Sequence, residues 1–467
     1  MYIEQLYTPC LSEAAYFIES NGEVAIIDPL RDVEKYIDMA KEKNATIKYI
    51  FETHFHADFV SGHLDLAKKT GAKIVYGPNA ETAFEKYSAK DNEEFSLGDV
   101  KIKAIHTPGH TLESTCYLLI DKNGKEEAVF TGDTLFVGDV GRPDLFSGNL
   151  SKEELASYMY DSLNKLKQLP PHVKVYPAHG PGSSCGKNLG PNTHSTIGEE
   201  VQSNYAMQEQ TKEEFIKAVT EGLNTPPAYF PINAGINQKG YDSIDDIIKN
   251  GMRAISIIDF KSLVSKEDIL ILDTRKAIEF TNGFVPNSIN IGLEGRFAEW
   301  AGALLPFHQK MILITDIGKE EESIVRLARV GFDKMIGYLV GSFEAWKQEG
   351  ESIDMIIDIE ADELKMDMNY DNKLLVLDVR KELEFENGHV KTAINMPLSN
   401  MNNIALLSSI EDDDNVYIHC AGGYRSVIAA SILKKQGIHN IRNVLGGYDS
   451  IKEVENMHLV AAKEVLN

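Results

Sequence analysis

The sequence predicts an α/β protein with more than one domain. A chain of 467 residues is too long for one ordinary hydrophobic core, and three domains are a fair expectation. Up to about residue 179, short runs rich in β-branched and aromatic residues alternate with helical patterns. The second half contains an internal repeat, which indicates two similar α/β domains that arose by duplication.

The predicted strands of the first part each end at glycine, proline, aspartate or a histidine motif. They lie at 25–27, 47–51, 73–76, 100–105, 117–120 and 129–130. Capping boxes at Ser151–Glu154 and Thr211–Glu214 predict the starts of two helices. The stretch 180–192 between these helices is rich in glycine and proline, and it predicts a loop long enough to have a function.

Charge and composition exclude several classes of function. The net charge of −24 and the lack of a dense basic stripe argue against nucleic acid and membrane surfaces as partners. No apolar run approaches 18 residues, so we expect no membrane span. The first residues lack the basic and apolar regions of a secretory signal, and four cysteines do not make a disulfide framework. We therefore expect a cytoplasmic protein.

Histidines and aspartates recur at the predicted strand ends of the first part. His54, His56 and Asp58 form a His-x-His-x-Asp motif directly after an apolar strand. His110, Asp133 and His179 follow at later strand ends. Imidazoles and a carboxylate that converge from separate strands suit a divalent first-row metal, so this ordered set predicts a metal site.

These motifs resemble the metallo-β-lactamase superfamily, most closely glyoxalase II and the related persulfide dioxygenases. The resemblance is carried by the histidine motif and by three further stretches: Thr107-Pro108-Gly109-His110-Thr111, Gly132-Asp133-Thr134-Leu135-Phe136 and Gly141-Arg142-Pro143-Asp144. It covers about residues 1–245. It implies an αββα sandwich with the metal at one edge.

One departure from the superfamily pattern suggests a single metal ion. The pattern usually reads His-x-His-x-Asp-His, and this chain has Phe59 in place of the last histidine. The resemblance to persulfide dioxygenases implies one Fe(II) on two histidines and one aspartate, which here are His54, His110 and Asp133. Three further residues would lie next to these ligands: His56, Asp58 and His179. If the metal were zinc, His56 would be a fourth ligand. Arg142 would position the carrier thiol or form a loop salt bridge.

The repeat of the second half divides the rest of the chain. Leu272-Asp273-Thr274-Arg275 recurs as Leu377-Asp378-Val379-Arg380, an offset of 105 residues from 272 to 377. Other segments recur at the same offset. The predicted domains are therefore residues 1–250, the metal domain, followed by 251–351 and 352–467.

The second copy contains a loop that predicts sulfur chemistry. A strand ends at Cys420, and the loop ends at Arg425 before a helix. Backbone N–H groups of such a loop, with the helix N-terminus, form an anion cradle that stabilises a thiolate or persulfide. The loop resembles the active loop of rhodanese sulfurtransferases. That resemblance implies Cys420 as nucleophile and Arg425 as a charged donor. The loop between them consists of Ala421, Gly422, Gly423 and Tyr424.

The first copy lacks this chemistry. Its strand ends at Asp316, acidic residues follow, and no thiol is present. It resembles an inactive rhodanese, so we expect it to be a spacer or a docking surface. Cys185 lies in the glycine-rich loop after His179 and is either an unremarkable loop cysteine or a sulfur relay near the metal, with Lys187 favouring its thiolate.

Together these features predict a persulfide dioxygenase fused to a sulfurtransferase. The expected partners are O₂, sulfite and a low-molecular-weight thiol persulfide, for example of glutathione or coenzyme A, and we expect a homo-oligomer. One alternative is a zinc-dependent thioester hydrolase of glyoxalase II type with a separate rhodanese module. Another is a non-enzymatic sulfur carrier or redox sensor that uses Cys420 and Cys185.

Overall fold

The computed structural model describes residues 1–145, 150–266, 268–403, 410–411 and 413–461. The chain divides into two compact units. The first consists of Met1–Asp246 with Leu327–Asp333, and the second of Ile247–Arg326 with Lys334–Asn467. Within the described ranges, no helix is long and apolar enough to cross a membrane.

The first unit contains two six-stranded sheets. In the first sheet the strands follow chain order, and they are β1 (Tyr2–Thr8), β2 (Glu13–Ser20), β3 (Glu23–Ile27), β4 (Thr46–Phe51), β5 (Lys73–Tyr76) and β6 (Tyr87–Ser88). The second sheet consists of β7 (Glu94–Leu97), β8 (Val100–His106), β9 (Thr115–Ile120), β10 (Glu126–Gly132), β11 (Lys174–Pro177) and β12 (Ser195–Thr196). These strands include every strand predicted in this part of the chain.

The two sheets pack face to face around an apolar core. Tyr16 of β2 meets Phe130 of β10 with ring centroids 4.8 Å apart, and Phe51 of β4 meets Tyr117 of β9 at 4.7 Å. All four rings are buried. Alternate residues of the strands point into this layer, which is the packing expected of a two-sheet sandwich.

Helices cover both outer faces of the sandwich. The helices of this region are α1 (Glu34–Glu42), α2 (His63–Thr70), α3 (Lys152–Leu166), α4 (Ile197–Ser203), α5 (Lys212–Thr220), α6 (Phe230–Lys239) and α7 (Ile244–Gly251). α1 and α2 pack on the first sheet, whereas α3 and α5 pack on the second. Both predicted capping boxes are present, at the starts of α3 and α5. The predicted αββα fold is confirmed.

The second unit contains two parallel five-stranded sheets and a small two-stranded one. The first sheet has the order β13-β17-β16-β14-β15, with strands β13 (Ala254–Ile255), β14 (Ile269–Asp273), β15 (Ile289–Asn290), β16 (Lys310–Ile314) and β17 (Met335–Leu339). Its helices are α8 (Ile257–Lys266), α9 (Ala277–Thr281), α10 (Phe297–Leu304), α11 (Glu320–Ala328) and α12 (Ser342–Gln348).

The second five-stranded sheet repeats the topology of the first. Its order is β18-β23-β22-β19-β21. Its strands are β18 (Ile357–Ile359), β19 (Leu374–Asp378), β21 (Ile394–Asn395), β22 (Asn415–His419) and β23 (Ile441–Val444). The separate two-stranded sheet pairs β20 (Gly388–Val390) with β24 (Leu459–Ala461). The helices are α13 (Ala361–Asp367), α14 (Glu382–Glu386), α15 (Tyr424–Lys435) and α16 (Gly447–Ile451).

A buried ion pair recurs in both copies of the repeat. Arg380 forms a two-pronged pair with Asp378 and donates to the carbonyl of Gly388. In the first copy Arg275 pairs with Asp273 in the same way and donates to the carbonyl of Gly283. The shared Asp-x-Arg element therefore supports the fold in both copies. The boundaries 1–250, 251–351 and 352–467 stay predictions, and residues 462–467 lie outside the described part.

Candidate functional site

The metal motif lies at one edge of the sandwich, where loops follow several strands. His54 comes three residues after β4, and Asp133 directly follows β10. His110 lies in the turn between β8 and β9, and His179 lies two residues after β11. All four side chains are buried, so the fold collects residues that are up to 125 positions apart (54 to 179).

The three predicted iron ligands converge on one point. Nε2 of His110 lies 3.4 Å from Oδ2 of Asp133, and Nε2 of His54 lies 3.8 Å from the same oxygen. The ligand atoms of all three residues lie within 4.8 Å of one another. This is the 2-His-1-carboxylate set, which suits a metal that keeps open positions for substrates.

The other ring nitrogen of each histidine is held by a hydrogen bond. Nδ1 of His110 lies 2.8 Å from the carbonyl oxygen of Arg142, which can only accept, so this nitrogen carries the proton. Nδ1 of His179 faces the carbonyl oxygen of Ser12 in the same way at 3.2 Å. Nδ1 of His54 lies 2.9 Å from Oγ1 of Thr53. These bonds leave the Nε2 lone pairs directed at Asp133, the tautomer that metal binding needs.

The electrostatics of this cluster fit a bound cation. Burial lowers the pKa of His110 to about 4, and it lowers the pKa of His54 strongly, so both rings are neutral near pH 7. Burial raises the pKa of Asp133 to about 6. Nε2 of His54 and both carboxylate oxygens of Asp133 have no hydrogen-bond partner among the described residues. A cation among these atoms would compensate the buried charge.

Two glycines permit the close packing of the ligands. A Cβ atom at Gly132, where φ is +52°, would lie 2.6 Å from Cβ of Thr53. A Cβ atom at Gly141 would lie 2.1 Å from the carbonyl oxygen of Asp133 and 2.9 Å from Nδ1 of His110. Glycine is therefore required at both positions for the loops to approach the ligands.

His56 turns one ring nitrogen away from the metal ligands. Its Nε2 lies 3.1 Å from Oδ1 of Asp28 and 3.7 Å from Oε2 of Glu52. Burial alone would lower the pKa of His56, but the charge and hydrogen bond of Asp28 and the charges of Glu52 and Asp58 together outweigh burial and raise the pKa to about 10. Nδ1 has no partner among the described residues. His56 could thus be an extra ligand through Nδ1 or a charged neighbour of the site, the two roles predicted for it.

Phe59 replaces a metal-binding side chain with a packed ring. It is fully buried, and its ring centroid lies 4.3 Å from that of His56. Nε2 of His179 lies 3.4 Å from Oδ2 of Asp58 and 3.5 Å from Oδ1 of Asp133. Asp58 and His179 are therefore within reach of the first three ligands, but no imidazole at position 59 completes a second site.

Sequence reasoning missed the buried acids behind this site. Asp28 accepts hydrogen bonds from the backbone N–H of Thr53 at 2.7 Å and from its hydroxyl at 2.9 Å. Glu52 accepts a hydrogen bond from Ser61, and Glu13 is fully buried with a pKa raised by burial to about 8. A signal for Asp28 was present, because it directly follows β3, the parallel neighbour of β4.

Arg142 is engaged by its own loop. Its guanidinium donates to both carboxylate oxygens of Asp144, at 2.7 and 2.8 Å, and to the carbonyl oxygen of Asn224. This is the salt bridge that the sequence offered as its alternative role. Its backbone carbonyl, which orients His110, gives Arg142 an additional link to the metal site.

Cys185 lies beside the metal ligands and is buried. Its thiol belongs to a group with Asp133 and His179 whose ligand atoms are within 4.8 Å of one another. Burial and the carboxylates of Asp58 and Asp133 raise its pKa well above the usual range. The expectation that Lys187 favours a thiolate is wrong, because the Nζ atom of Lys187 donates to the carbonyl oxygens of Ala218 and Glu221.

The Cys420 loop follows β22 and leads into α15. The backbone N–H of Gly423 donates to Sγ of Cys420 at 3.0 Å, and Gly423 has a φ of +102° that favours glycine. Both terminal nitrogens of Arg425 donate to the carboxylate of Glu384, at 2.7 and 2.8 Å. The loop thus directs the amide of Gly423 at the sulfur of Cys420. It ends at Arg425, whose guanidinium is paired with Glu384.

In the first copy, strand register places Thr315 where the second has Cys420. Asp273 pairs with Ile314 as Asp378 pairs with His419, so the next residues correspond. The hydroxyl of Thr315 is buried and accepts a hydrogen bond from Thr274 at 2.6 Å. The amide of Gly318 donates to Glu320, a carboxylate of the same loop. The register thus assigns the cysteine position to Thr315 rather than Asp316.

The first copy also contributes to the surroundings of the Cys420 loop. The hydroxyl of Tyr424 donates to the carbonyl oxygen of Gly292 at 2.9 Å. A cavity of about 290 Å³ is lined by residues of both copies, including Lys276, Gly422 and Gly423. The first copy therefore forms one wall beside the Cys420 loop of the second copy.

The fold and the site define a metal-binding domain of the αββα class followed by two sulfurtransferase-type domains. The model of the metallo-beta-lactamase superfamily matches residues 8–179, and the model of the rhodanese-like domain matches residues 256–349 and 360–454. The chain belongs to the metallo-beta-lactamase superfamily and carries two rhodanese-like domains.

Some relatives match less than half of this chain, and one solved structure matches most of it. A cytoplasmic hydroxyacylglutathione hydrolase of Arabidopsis thaliana is 37% identical over 179 residues, 37% of this chain and 66% of the relative, just under two thirds of its length. Glyoxylase B2 of Dictyostelium discoideum is 32% identical over 45% of this chain and 74% of its own. A solved metallo-beta-lactamase from Staphylococcus aureus subsp. aureus COL is 32% identical, with a TM-score of 0.64 over 73% of this chain and 98% of its own.

Proposed function

We propose that the protein oxidises a low-molecular-weight thiol persulfide with O₂ and transfers sulfane sulfur to the product. The first reaction is R–S–SH + O₂ + H₂O → R–SH + SO₃²⁻ + 2H⁺. The observation that carries this proposal is the buried triad His54, His110 and Asp133 near Phe59, because the triad could hold one metal ion and the second site is incomplete. Removal of persulfides in this way would serve sulfide detoxification.

The residues of the triad would hold Fe(II), which supplies O₂ activation when bound. Arg142 and Thr53 fix the orientation of His110 and His54 by their hydrogen bonds to the Nδ1 atoms. Because His54, His110 and Asp133 are buried, bulk water is kept away from the atoms that would hold the metal. Cys185 lies within reach of Asp133 and His179, where its thiol could accept or relay sulfane sulfur.

The second reaction uses Cys420. Its thiolate attacks the outer sulfur of R–S–SH, the S–S bond of the donor breaks, and R–S⁻ leaves with the electron pair. The amide of Gly423 stabilises charge on the cysteine sulfur, and Gly422 and Arg425 lie in the same loop. Sulfite then takes the outer sulfur to give thiosulfate.

The test is persulfide-dependent O₂ uptake by the iron-loaded chain, with Asp133→Ala as the matched variant. We expect uptake by the wild type and its loss in Asp133→Ala, because the one carboxylate of the triad is gone. Equal uptake by both would overturn the proposal. It would favour the reading in which the chain is a non-enzymatic sulfur carrier or sensor.

The second candidate is a zinc-dependent thioester hydrolase. The hydroxyacylglutathione hydrolases among the relatives favour it, and zinc at the same residues would fit their class. Two-metal hydrolysis needs a full second site, and Phe59 removes one imidazole from it. Cleavage of a glutathione thioester without persulfide-dependent O₂ uptake would establish this alternative.

The setting of the protein is part of the same proposal. We propose that it acts in the cytoplasm, where the name of the Arabidopsis relative locates that protein. Its small-molecule partners would be sulfite, O₂ and a thiol persulfide, and the chain would associate into a homo-oligomer. Size-exclusion chromatography with light scattering tests the last point, and a monomer at all concentrations would contradict it.

A further inference from the structure

The guanidinium at the end of the active loop is occupied by a carboxylate of the chain. Arg425 uses both terminal nitrogens on Glu384, with distances of 2.7 and 2.8 Å. The arginine side chain is 17% exposed and the glutamate 35% exposed, so the pair lies at the border between the loop and solvent. A two-pronged arginine–carboxylate pair of this kind has defined geometry as well as charge.

Glu384 is held in place from its own side. It lies in α14, and its Oε2 atom also accepts a hydrogen bond from the backbone N–H of Lys381 at 3.0 Å, which caps the helix. The hydrogen bond from Arg425 lowers the pKa of Glu384, so the carboxylate remains ionised near pH 7. The pair is therefore a fixed element and not a chance contact between two mobile side chains.

Sulfite and thiosulfate are small oxyanions that an arginine fork would also bind. The carboxylate of Glu384 takes up the donors that such an anion would use, and it adds a negative charge beside them. In the first copy the residue that corresponds to Arg425 is Glu320, which bonds to the loop amide of Gly318. A carboxylate of the chain thus occupies an anion-binding donor in each copy, and only in the second is the loop amide left to bond sulfur.

We propose that Glu384 is a specificity-determining residue that competes with sulfite for Arg425 and so weakens oxyanion binding at the Cys420 loop. This inference rests on the proposed sulfur transfer by Cys420. In that step the sulfur lone pair of sulfite attacks the outer sulfur of Cys420–S–SH. The S–S bond breaks with its electron pair on Sγ of Cys420, which takes the proton from the outer sulfur, and thiosulfate leaves.

The competition explains why an internal carboxylate is placed beside a loop that handles dianions. Thiosulfate is both a product and a potential donor of sulfane sulfur to the same cysteine. A carboxylate that weakens the binding of dianions favours the release of thiosulfate over its return to Cys420. A thiol persulfide, which need not use the arginine fork, is affected less.

The test compares Glu384→Gln with Glu382→Gln, an exposed glutamate on the same helix. Transfer from glutathione persulfide to sulfite is measured across sulfite concentrations, and sulfite binding to a Cys420→Ser background is measured by calorimetry. We expect Glu384→Gln to lower the KM and the Kd for sulfite about threefold to tenfold, a change of up to about 1.4 kcal/mol, with kcat within about twofold. Glu382→Gln should match the wild type.

An unchanged or higher sulfite KM and Kd in Glu384→Gln would overturn the inference, because Glu384 would then hold Arg425 in its productive position. Thermal unfolding confirms that each variant is folded. Failure of the proposed function gives a different result, since wild type and Cys420→Ser would then transfer sulfur to sulfite at the same rate.

Discussion

The Nε2 atom of His56 lies 3.1 Å from Oδ1 of Asp28, and the same carboxylate accepts two hydrogen bonds from Thr53. Thr53 in turn contacts Nδ1 of His54. One buried aspartate, which belongs to no predicted ligand set, therefore orients both histidines of the His-x-His-x-Asp motif. Such neighbours of metal ligands typically contribute tenfold to hundredfold in metal affinity.

Asp28→Asn should weaken iron binding. An amide nitrogen in place of Oδ2 cannot accept the hydrogen bond from the Thr53 hydroxyl, and the amide also removes the negative charge beside His56. We expect an affinity about tenfold to hundredfold lower, measured by competition with a chelator under anaerobic conditions. Asp38→Asn, an exposed aspartate on α1, is the control. Equal iron retention by Asp28→Asn and the wild type would refute the role of Asp28.

Gly141→Ala should disable the metal site and spare the sulfurtransferase. The new Cβ would lie 2.1 Å from the carbonyl of Asp133 and 2.9 Å from Nδ1 of His110, so both ligands must move. We expect loss of bound iron and of O₂ uptake, with sulfur transfer through Cys420 retained. Gly235→Ala is a matched control, because no described atom outside its neighbours lies within 4 Å of its Cβ. Normal iron content in Gly141→Ala would contradict this account of the packing.

Cys420→Ser should separate the two reactions. A hydroxyl cannot form a persulfide, so O₂ uptake is expected to continue while sulfite accumulates in place of thiosulfate. Ion chromatography of the products gives the ratio. Cys10→Ser should keep the wild-type ratio. Thiosulfate formation by Cys420→Ser at the wild-type rate would mean that another group transfers the sulfur.

Cys185 should gain sulfur when the protein is treated with a thiol persulfide. Its position beside Asp133 and His179 places the thiol where sulfane sulfur would be handled, although burial favours the protonated form. Mass spectrometry of the tryptic peptide is expected to show an added mass of one sulfur. Cys116 is equally buried and lies in β9, and it should remain unmodified. An unmodified Cys185 peptide would eliminate the relay.

The fold was largely predictable because its signals are local. Apolar runs closed by glycine, proline or aspartate located the strands, and capping boxes at Ser151 and Thr211 located two helix starts. The offset of 105 residues predicted two domains with one topology, which the matching strand orders confirm. Local patterns are enough to predict a helix or strand when the hydrophobic periodicity and the end signals lie within the element itself.

The missed features depend on contacts between distant residues. Asp28 reaches His56 only because β3 and β4 pair in parallel, and Glu384 reaches Arg425 across 41 positions. The expected effect of Lys187 on the Cys185 thiol was wrong because the Lys187 ammonium group donates to the carbonyl oxygens of Ala218 and Glu221. Sequence spacing cannot specify such orientations.

The most direct test of the central claim is the metal content of the anaerobically purified chain together with its O₂ consumption on addition of glutathione persulfide. The triad of His54, His110 and Asp133 predicts about one iron per chain and persulfide-dependent O₂ uptake with sulfite or thiosulfate as product. Two zinc ions per chain, with thioester cleavage and no O₂ uptake, would contradict it.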